Sequence, residues 1–176
     1  MSRSLSLREA TREAHEEMER SLNLFHPDFT VEDYQQLLCQ WYGFHAAWEP
    51  ASASLFGEPM ADFLQVRRKL ALLADDLGMI APSSPAPIMW TDRSDALGTL
   101  YVVEGSTLGG QLITRKLLDR YGVSSVFFAS YGPDIGRRWQ ETKQLLDQPP
   151  FEVDDARVIE GARRTFEFLQ TWLSAR

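Results

Sequence analysis

The sequence predicts an all-α protein of about six helices, and three observations support this fold class. Helix-starting and helix-ending residues recur along the whole chain. Strand signals are weak, because "SSVFFASYG" at 124–132 is the only candidate and it is short. No repeat, low-complexity tract or linker divides the chain, and 176 residues suffice for one core. We therefore expect a single domain over residues 1–176.

The predicted helices are bounded by capping residues and glycines. Two capping boxes, Ser6 with Glu9 and Thr30 with Asp33, begin the first two helices. Prolines exclude a helix from the stretch "APSSPAPIMW". The predicted helices span about 6–24, 31–56, 60–77, 92–121, 134–148 and 155–175.

The remaining helix ends follow from single residues. Gly78 closes the third helix, and Thr91 can cap the fourth, which Gly122 ends. Either Asp154 or Asp155 caps the last helix. These signals complete the all-α prediction.

Composition excludes several classes of function. The apolar and charged fractions, 44% and 24%, are ordinary for a soluble globular protein. A formal charge of −7 argues against non-specific nucleic-acid binding. Cys39 is the one cysteine, so no internal disulfide can form and a reducing compartment is indicated. No signal-peptide core and no membrane-length apolar run is present. We expect a cytoplasmic protein that contacts neither nucleic acid nor membrane.

The stretch "EGSTLGGQ" at 104–111 places three glycines inside a predicted helix. Gly105, Gly109 and Gly110 each cost up to about 1 kcal/mol relative to alanine in a helix interior. Glycine permits a kink and lets another body approach the backbone. That body is either a neighbouring helix or a flat ligand below the bend, and the pattern alone leaves both open.

The stretch "LREATREAHEEME" aligns four polar side chains on one helix face. Arg8, Arg12, His15 and Glu19 are spaced i, i+4, i+7 and i+11. A neutral imidazole is a good iron ligand, and a carboxylate one turn away can accept a hydrogen bond from its other nitrogen. Guanidinium groups pair with carboxylates, including those of haem. The alternative is a solvated face with a surface histidine.

Together these stretches resemble the haem oxygenase family. "LREATREAH" resembles the family's proximal-helix motif, and "GSTLGGQ" resembles its distal-helix glycine motif. "VIEGARRTFEFLQ" is similar to the family's C-terminal helix. The resemblance covers nearly the whole chain and is typical of a bacterial, soluble member.

The resemblance implies an all-α bundle that holds haem between a proximal helix and a glycine-kinked distal helix. Haem would be both cofactor and substrate, and O₂ the co-substrate, giving biliverdin, CO and ferrous iron. His15 would be the axial iron ligand and Glu19 the hydrogen-bond acceptor behind it. Arg8 and Arg12 fall where the family has basic residues near the haem propionates.

On the distal side, the resemblance implies that Gly105 and Gly109 let the backbone approach bound O₂. Gly110 would help the bend, and Phe166 matches a phenylalanine of the pocket. Many members carry an aspartate where this chain has Ser106, and that aspartate organises the water that delivers protons. Serine brings no charge and less reach, so proton delivery is the step that this difference affects.

Further contacts and partners follow from the same resemblance. Tyr131, Arg137 and Arg138 are candidates for contacts to the propionates. An electron donor is required, which would be a reductase, a ferredoxin or a small reductant. The basic run at 67–69 is either a surface for that donor or a solvated face. A bilin-binding photoreceptor and a haem-delivery protein are two further partners left open.

A haem-binding carrier or sensor of the same fold, with little turnover, is the alternative, and Ser106 motivates it. A di-iron oxidase is disfavoured because no Glu-x-x-His spacing is present. We expect His26 to lie in a turn, His45 to lie in the core or cap a helix, and Cys39 to be a core residue. These three residues are therefore not expected to carry chemistry.

Overall fold

The computed structural model describes residues 2–22 and 24–175, and these form helices, turns and loops. Three short 3₁₀ turns lie at Glu58–Met60, Thr107–Gly109 and Gly132–Asp134. No strand occurs in the described residues, and the candidate at 124–132 forms turns that bury two phenylalanines. The all-α prediction is confirmed. The eight α-helices are α1 Arg3–Leu22, α2 Val31–Phe56, α3 Ala61–Gln65, α4 Leu70–Leu77, α5 Arg93–Ser106, α6 Gly110–Tyr121, α7 Ile135–Asp147 and α8 Asp155–Ser174.

Several predicted caps are confirmed. Thr30 and Asp33 form both bonds of a capping box before α2. Gly122 ends α6 in the left-handed conformation, with φ 66°. Asp154 accepts hydrogen bonds from two backbone N–H groups at the start of α8.

The capping box predicted at Ser6 is wrong. α1 begins at Arg3, so Ser6 lies inside the helix and its hydroxyl donates to the Ser2 carbonyl at 3.2 Å. The start of α1 is held from outside instead, because Asp147 at the end of α7 accepts from the Ser4 N–H at 2.8 Å. A tertiary contact takes the place of a local cap.

The single helix predicted over 60–77 is also wrong. α3 ends at Gln65 and α4 begins at Leu70, because the backbone N–H groups of Lys69 and Leu70 donate to Glu49 Oε1 at 2.6 and 3.0 Å. Arg67 and Lys69 turn inward and are only 6% and 2% exposed. Arg67 and Lys69 are therefore part of neither a donor surface nor a solvated face, whereas Arg68 between them is exposed.

The predicted cap of α5 is displaced by one residue. Asp92 is the N-cap and accepts from the N–H groups of Ser94 and Asp95. Thr91 lies just outside and donates its backbone N–H to the Asp95 side chain at 3.1 Å. Aspartate and threonine are both good caps, so neighbouring candidates compete at this position.

Helix α8 packs along both α1 and α5. Its crossing with α5 brings the two backbones into contact at Gly98 and Gly161. A Cβ added at Gly98 would lie 2.1 Å from the Val158 carbonyl oxygen, and one at Gly161 would lie 2.5 Å from that of Asp95. This crossing connects α1, through α8, to α5.

The remaining histidines and the cysteine have structural positions, as predicted. His45 is 3% exposed among aromatic rings of α2, and burial lowers its pKa. His26 lies in a turn, where Nδ1 accepts from the Asp28 N–H at 3.2 Å. Cys39 is buried, and burial raises the pKa of its thiol. No helix in 2–22 or 24–175 is long and apolar enough to cross a membrane.

Candidate functional site

The imidazole of His15 is the exposed end of a contact between α1 and α8. Its side chain is 48% exposed, and its ring meets the Phe166 ring edge-on, with centroids 5.7 Å apart and an interplanar angle of 86°. Phe166 itself is 4% exposed. A buried aromatic residue of α8 therefore sets the orientation of an open imidazole on α1.

The other polar residues of this face are also exposed. Glu19 Oε1 lies 3.7 Å from His15 Nε2, which is longer than a hydrogen bond but within reach of a small movement. Arg8 and Arg12 are exposed and make no ion pair with any residue that the structure describes. Among the described residues, the face thus presents one imidazole and two cations without an ion-pair partner. This arrangement suits an iron complex that carries carboxylates.

Helix α5 is interrupted at the predicted glycines. α5 ends at Ser106, one 3₁₀ turn covers Thr107–Gly109, and α6 begins at Gly110. We call residues 105–110 the distal turn. Ser106 Oγ donates to the Val103 carbonyl at 2.7 Å, and Thr107 Oγ1 donates to the Glu104 carbonyl at 2.6 Å. These hydroxyls satisfy carbonyls at the end of α5.

The three glycines of the distal turn have different surroundings. A Cβ added at Gly110 would lie 2.1 Å from the Phe128 carbonyl oxygen, so Gly110 permits close packing. A Cβ at Gly105 would meet the Trp139 ring at an ordinary 3.7 Å. A Cβ at Gly109 would have no described atom within 4 Å. Close packing therefore accounts for Gly110, against a turn segment and not a neighbouring helix, and the ligand explanation for Gly109 stays a prediction.

Apolar side chains stand exposed beside Gly109. Leu108 is 45% exposed and Leu112 is 52% exposed. A cavity of about 260 Å³ lies further along α6, and its lining includes Leu24, Ile113 and Phe128. The exposed leucines beside the open backbone of Gly109 are suited to a largely apolar ligand, and the cavity is separate from them.

The buried side of α5 carries a charged cluster, formed by Glu104, Arg67, Lys69 and Tyr131. Glu104 is 2% exposed and accepts from Arg67 Nε at 3.1 Å. The Tyr131 hydroxyl lies 2.9 and 3.1 Å from the two Glu104 carboxylate oxygens. Lys69 Nζ lies 3.4 Å from the centroid of the Tyr131 ring. We call this the buried charge cluster.

Burial perturbs the titration of this cluster. It raises the pKa of Glu104, although Lys69 and Arg67 oppose that effect. It lowers the pKa of Lys69 to about 8. It also raises the pKa of the Tyr131 hydroxyl, and the neighbouring Glu104 charge adds to that rise. Tyr131 therefore remains a hydrogen-bond donor to Glu104 across the physiological range.

The predicted propionate contacts near α7 have partners within the protein. The hydroxyl of Tyr131 is engaged by Glu104. Arg137 pairs with Asp134 and Glu141, and Arg138 also pairs with Glu141. Burial alone would raise the pKa of Glu141, but hydrogen bonds from arginines hold it below its usual value. A propionate would compete with these carboxylates, so the role assigned to the three residues stays a prediction.

Sequence reasoning did not find the buried charge cluster or the glycine pair of the α5–α8 crossing. Glu104 directly precedes the glycine motif, and Arg67 stands in a run of three cations that resembles a surface. Two signals could have indicated these features. Gly98 and Gly161 each stand in an otherwise well-formed helix, and Glu104 is the one acid in the apolar run "LYVVEG".

Comparisons with known proteins identify relatives of this chain. No protein-family model matches the chain. It is 31% identical over 136 residues to a heme oxygenase of Xanthomonas campestris pv. campestris (strain 8004), a match that covers 68% of this chain and 81% of the relative. The crystal structure of the NO- and CO-bound heme oxygenase from Neisseria meningitidis superposes with a TM-score of 0.78 at 21% identity.

The structural match covers 98% of this chain and 90% of the Neisseria chain. At that level of identity it establishes the fold alone. The sequence match establishes more, because its identity and its coverage of the relative are both high enough to indicate common descent. This chain therefore belongs to the haem oxygenase family of enzymes.

Proposed function

We propose that this protein opens haem oxidatively to biliverdin, CO and ferrous iron, using O₂ and electrons from a donor. The observation that carries the proposal is the open imidazole of His15, held edge-on by Phe166 of α8, in a chain whose distal turn leaves backbone uncovered at Gly109. Membership of the haem oxygenase family supports the proposal further.

The residues present fit a haem. Haem is a flat apolar plate with an iron at its centre and two carboxylates at one edge. His15 supplies an imidazole for the iron, and Arg8 and Arg12, which have no ion-pair partner in the described part of the chain, supply cations for the carboxylates. Exposed Leu108 and Leu112 supply apolar surface. When bound, haem supplies both the redox-active iron and the ring that is cleaved.

The protein's own contribution is to orient the imidazole of His15 and to keep the distal side free of side chains. Glu19 accepts a hydrogen bond from His15 after a small movement and so fixes its tautomer. Gly105 and Gly109 leave room on the distal side, where a side chain would occupy it. Gly110 keeps α6 against the Phe128 carbonyl and so maintains the bend.

Ser106 is the residue that limits proton delivery. Its hydroxyl hydrogen is donated to the Val103 carbonyl, so the oxygen is left to accept from a water molecule. An accepting hydroxyl can hold that water in place but carries no charge to polarise it. We infer that turnover is slower than with a carboxylate at this position.

The test is an absorption series on the protein mixed with one equivalent of hemin, followed by a reductant in air with catalase present. We expect a sharp Soret band that decays while a broad red biliverdin band grows. Absence of any Soret complex contradicts the proposal altogether.

The ligand assignment has a separate test. His15→Ala should abolish the normal ferric spectrum, and His26→Ala is the matched control because His26 is a half-exposed histidine in a turn. A full spectrum in the His15 variant shows that another residue binds the iron.

The alternative is a haem carrier or sensor with little turnover, which Ser106 favours. In the same series its signature is a Soret band that forms and then persists as a stable ferrous–oxy or ferric complex. The partners follow the outcome: turnover requires a reductase, ferredoxin or small reductant. A bilin-binding photoreceptor and a haem-delivery protein stay predictions.

A further inference from the structure

The distal turn is held in place by a loop that belongs to neither of its own helices. Residues 125–134, which we call the buttress loop, contact both ends of the turn. Before the turn, the Tyr131 hydroxyl donates to Glu104. After it, the Phe128 carbonyl lies against Gly110, and Gln111 Nε2 donates to the Gly132 carbonyl at 2.7 Å. One loop therefore spans the bend.

The backbone conformation of Tyr131 indicates that its side-chain contacts hold this arrangement in place. Its φ is 68°, and it is the one non-glycine residue with positive φ among 2–22 and 24–175. A left-handed conformation disfavours an L side chain and persists where surrounding contacts over-determine it. Those contacts are the bifurcated hydrogen bond to Glu104 and the Lys69 ammonium over the ring.

The buttress loop is itself fixed at its other end. Asp76 of α4 accepts from Ser125 Oγ at 2.7 Å and from the backbone N–H groups of Val126 and Phe127 at 2.8 and 3.0 Å. Three hydrogen bonds to one carboxylate leave the loop little freedom at this point. The loop thus links the distal turn to α4 and fixes its position relative to that helix.

We propose that Tyr131 is a positioning residue, which acts through Glu104 to set where the distal turn stands and thereby which edge of the haem ring is opened. The second half of this statement rests on the proposed function, in which the distal turn is the protein surface that confines O₂. The first half concerns the protein alone. The two halves have separate measurements.

The first measurement is hydrogen exchange on the protein without haem, comparing Tyr131→Phe with wild type. Phenylalanine keeps the ring near Lys69 and removes the hydroxyl. We expect amide exchange at Thr107 and Gly110 to become roughly tenfold faster, because a hydrogen bond to a buried carboxylate is lost. Tyr121→Phe is the matched control, since it removes a hydroxyl that donates to the Phe29 carbonyl. It should change exchange at these amides less than twofold.

The second measurement uses the haem-loaded protein. In Tyr131→Phe the ratio of biliverdin isomers should shift at least threefold and the C–O stretch of the ferrous–CO complex should move, whereas Tyr121→Phe keeps both at wild-type values. A purely structural role lowers the yield of all isomers in proportion and leaves the ratio unchanged. Unchanged exchange at the turn overturns the positioning role, and faster exchange with an unchanged ratio overturns the selectivity role.

A second variant covers the case in which Tyr131→Phe does not fold. Gln111→Ala removes an exposed hydrogen bond to the same loop on the other side of the turn. Exchange and isomer ratio should move in the same direction by a smaller factor, about twofold to threefold. No change in either quantity contradicts the proposal. If no haem complex forms at all, the proposed function fails while the exchange result still decides the positioning role.

Discussion

The α5–α8 crossing and the distal turn both depend on glycine, for opposite physical reasons. At Gly98 a Cβ would enter the backbone of α8, at 2.1 Å from a carbonyl oxygen. At Gly109 a Cβ would meet no described atom within 4 Å. The protein excludes a side chain from the first place and leaves the second place empty. Space that the protein itself does not fill is consistent with a ligand site, and this contrast would not exist if both glycines served packing.

The largest effect is expected at the crossing. Gly98→Ala should lower the free energy of unfolding by about 3 kcal/mol, because the nearest obstacle is backbone and the helices must separate. Urea unfolding measures it. Gly136→Ala is the control, since a Cβ there meets nothing within 4 Å. A loss below about 1 kcal/mol at Gly98 means that the helices separate easily and the contrast fails.

A pH series tests the buried side of α5, where the buried charge cluster lies. The pKa of Lys69 is about 8 in the folded protein, below its ordinary value of 10.5. The unfolded chain therefore binds the Lys69 proton more strongly than the folded protein does. Burial of the Lys69 ammonium lowers the free energy of unfolding by its full amount below pH 8, and this loss diminishes as the pH rises above 8. From pH 7.5 to 9.5 the free energy of unfolding of wild type should rise by about 2 kcal/mol relative to Lys69→Met.

Urea unfolding of both proteins at each pH gives this difference. Tyrosines of the unfolded chain, with their ordinary pKa of 10, begin to ionise at the upper end of this window, but Tyr34 and Tyr131 are present in both proteins and their contribution cancels in the difference. A difference that stays constant with pH indicates that the Lys69 ammonium is solvated.

The open side of the contrast is tested by Gly109→Ala. The substitution should raise the free energy of unfolding by up to about 1 kcal/mol, because alanine is the better helix former and no atom opposes it. Turnover of haem should fall at the same time, since the methyl group occupies the space assigned to the ligand. A stable variant with full turnover shows that the opening at Gly109 is not used.

The smallest change in stability is expected at Ser106. Ser106→Asp should lower the free energy of unfolding by about 0.5 kcal/mol, because the hydrogen bond to the Val103 carbonyl is lost. Single-turnover decay of the oxy complex should become faster, with Ser106→Ala as a control that loses the same bond without adding a charge. An unchanged or slower rate in the aspartate variant means that proton delivery is not limiting.

The fold was predictable where a helix end depends on local chemistry. Thr30 with Asp33 and Gly122 act within one turn of their own helix, and both were assigned correctly. Ser6 was not, because Asp147 holds the start of α1 from the far end of another helix. The break before Leu70 was missed for the same reason, since its N–H groups are satisfied by Glu49. Contacts distant in sequence leave no local pattern.

The candidate site divides in a similar way. The face that bears His15 follows from helical spacing, and the interruption of α5 follows from the glycines themselves. The link between Glu104, Arg67 and Tyr131 joins three separate segments, and nothing in the sequence of any one of them indicates it. Which glycine packs and which stays open also depends on where the Phe128 carbonyl lies.

The place of α8 in the fold has a consequence for biosynthesis. Translation completes α1 and α5 long before Phe166 and Gly161 are made, and each helix then lacks the surface on which it packs. The imidazole of His15 has no ring to orient it until α8 has emerged from the ribosome. If His15 binds haem as proposed, an oriented imidazole is available only after the other helices have been synthesised. Under the proposed function, a chain truncated before α8 should therefore bind hemin more weakly than the full-length chain.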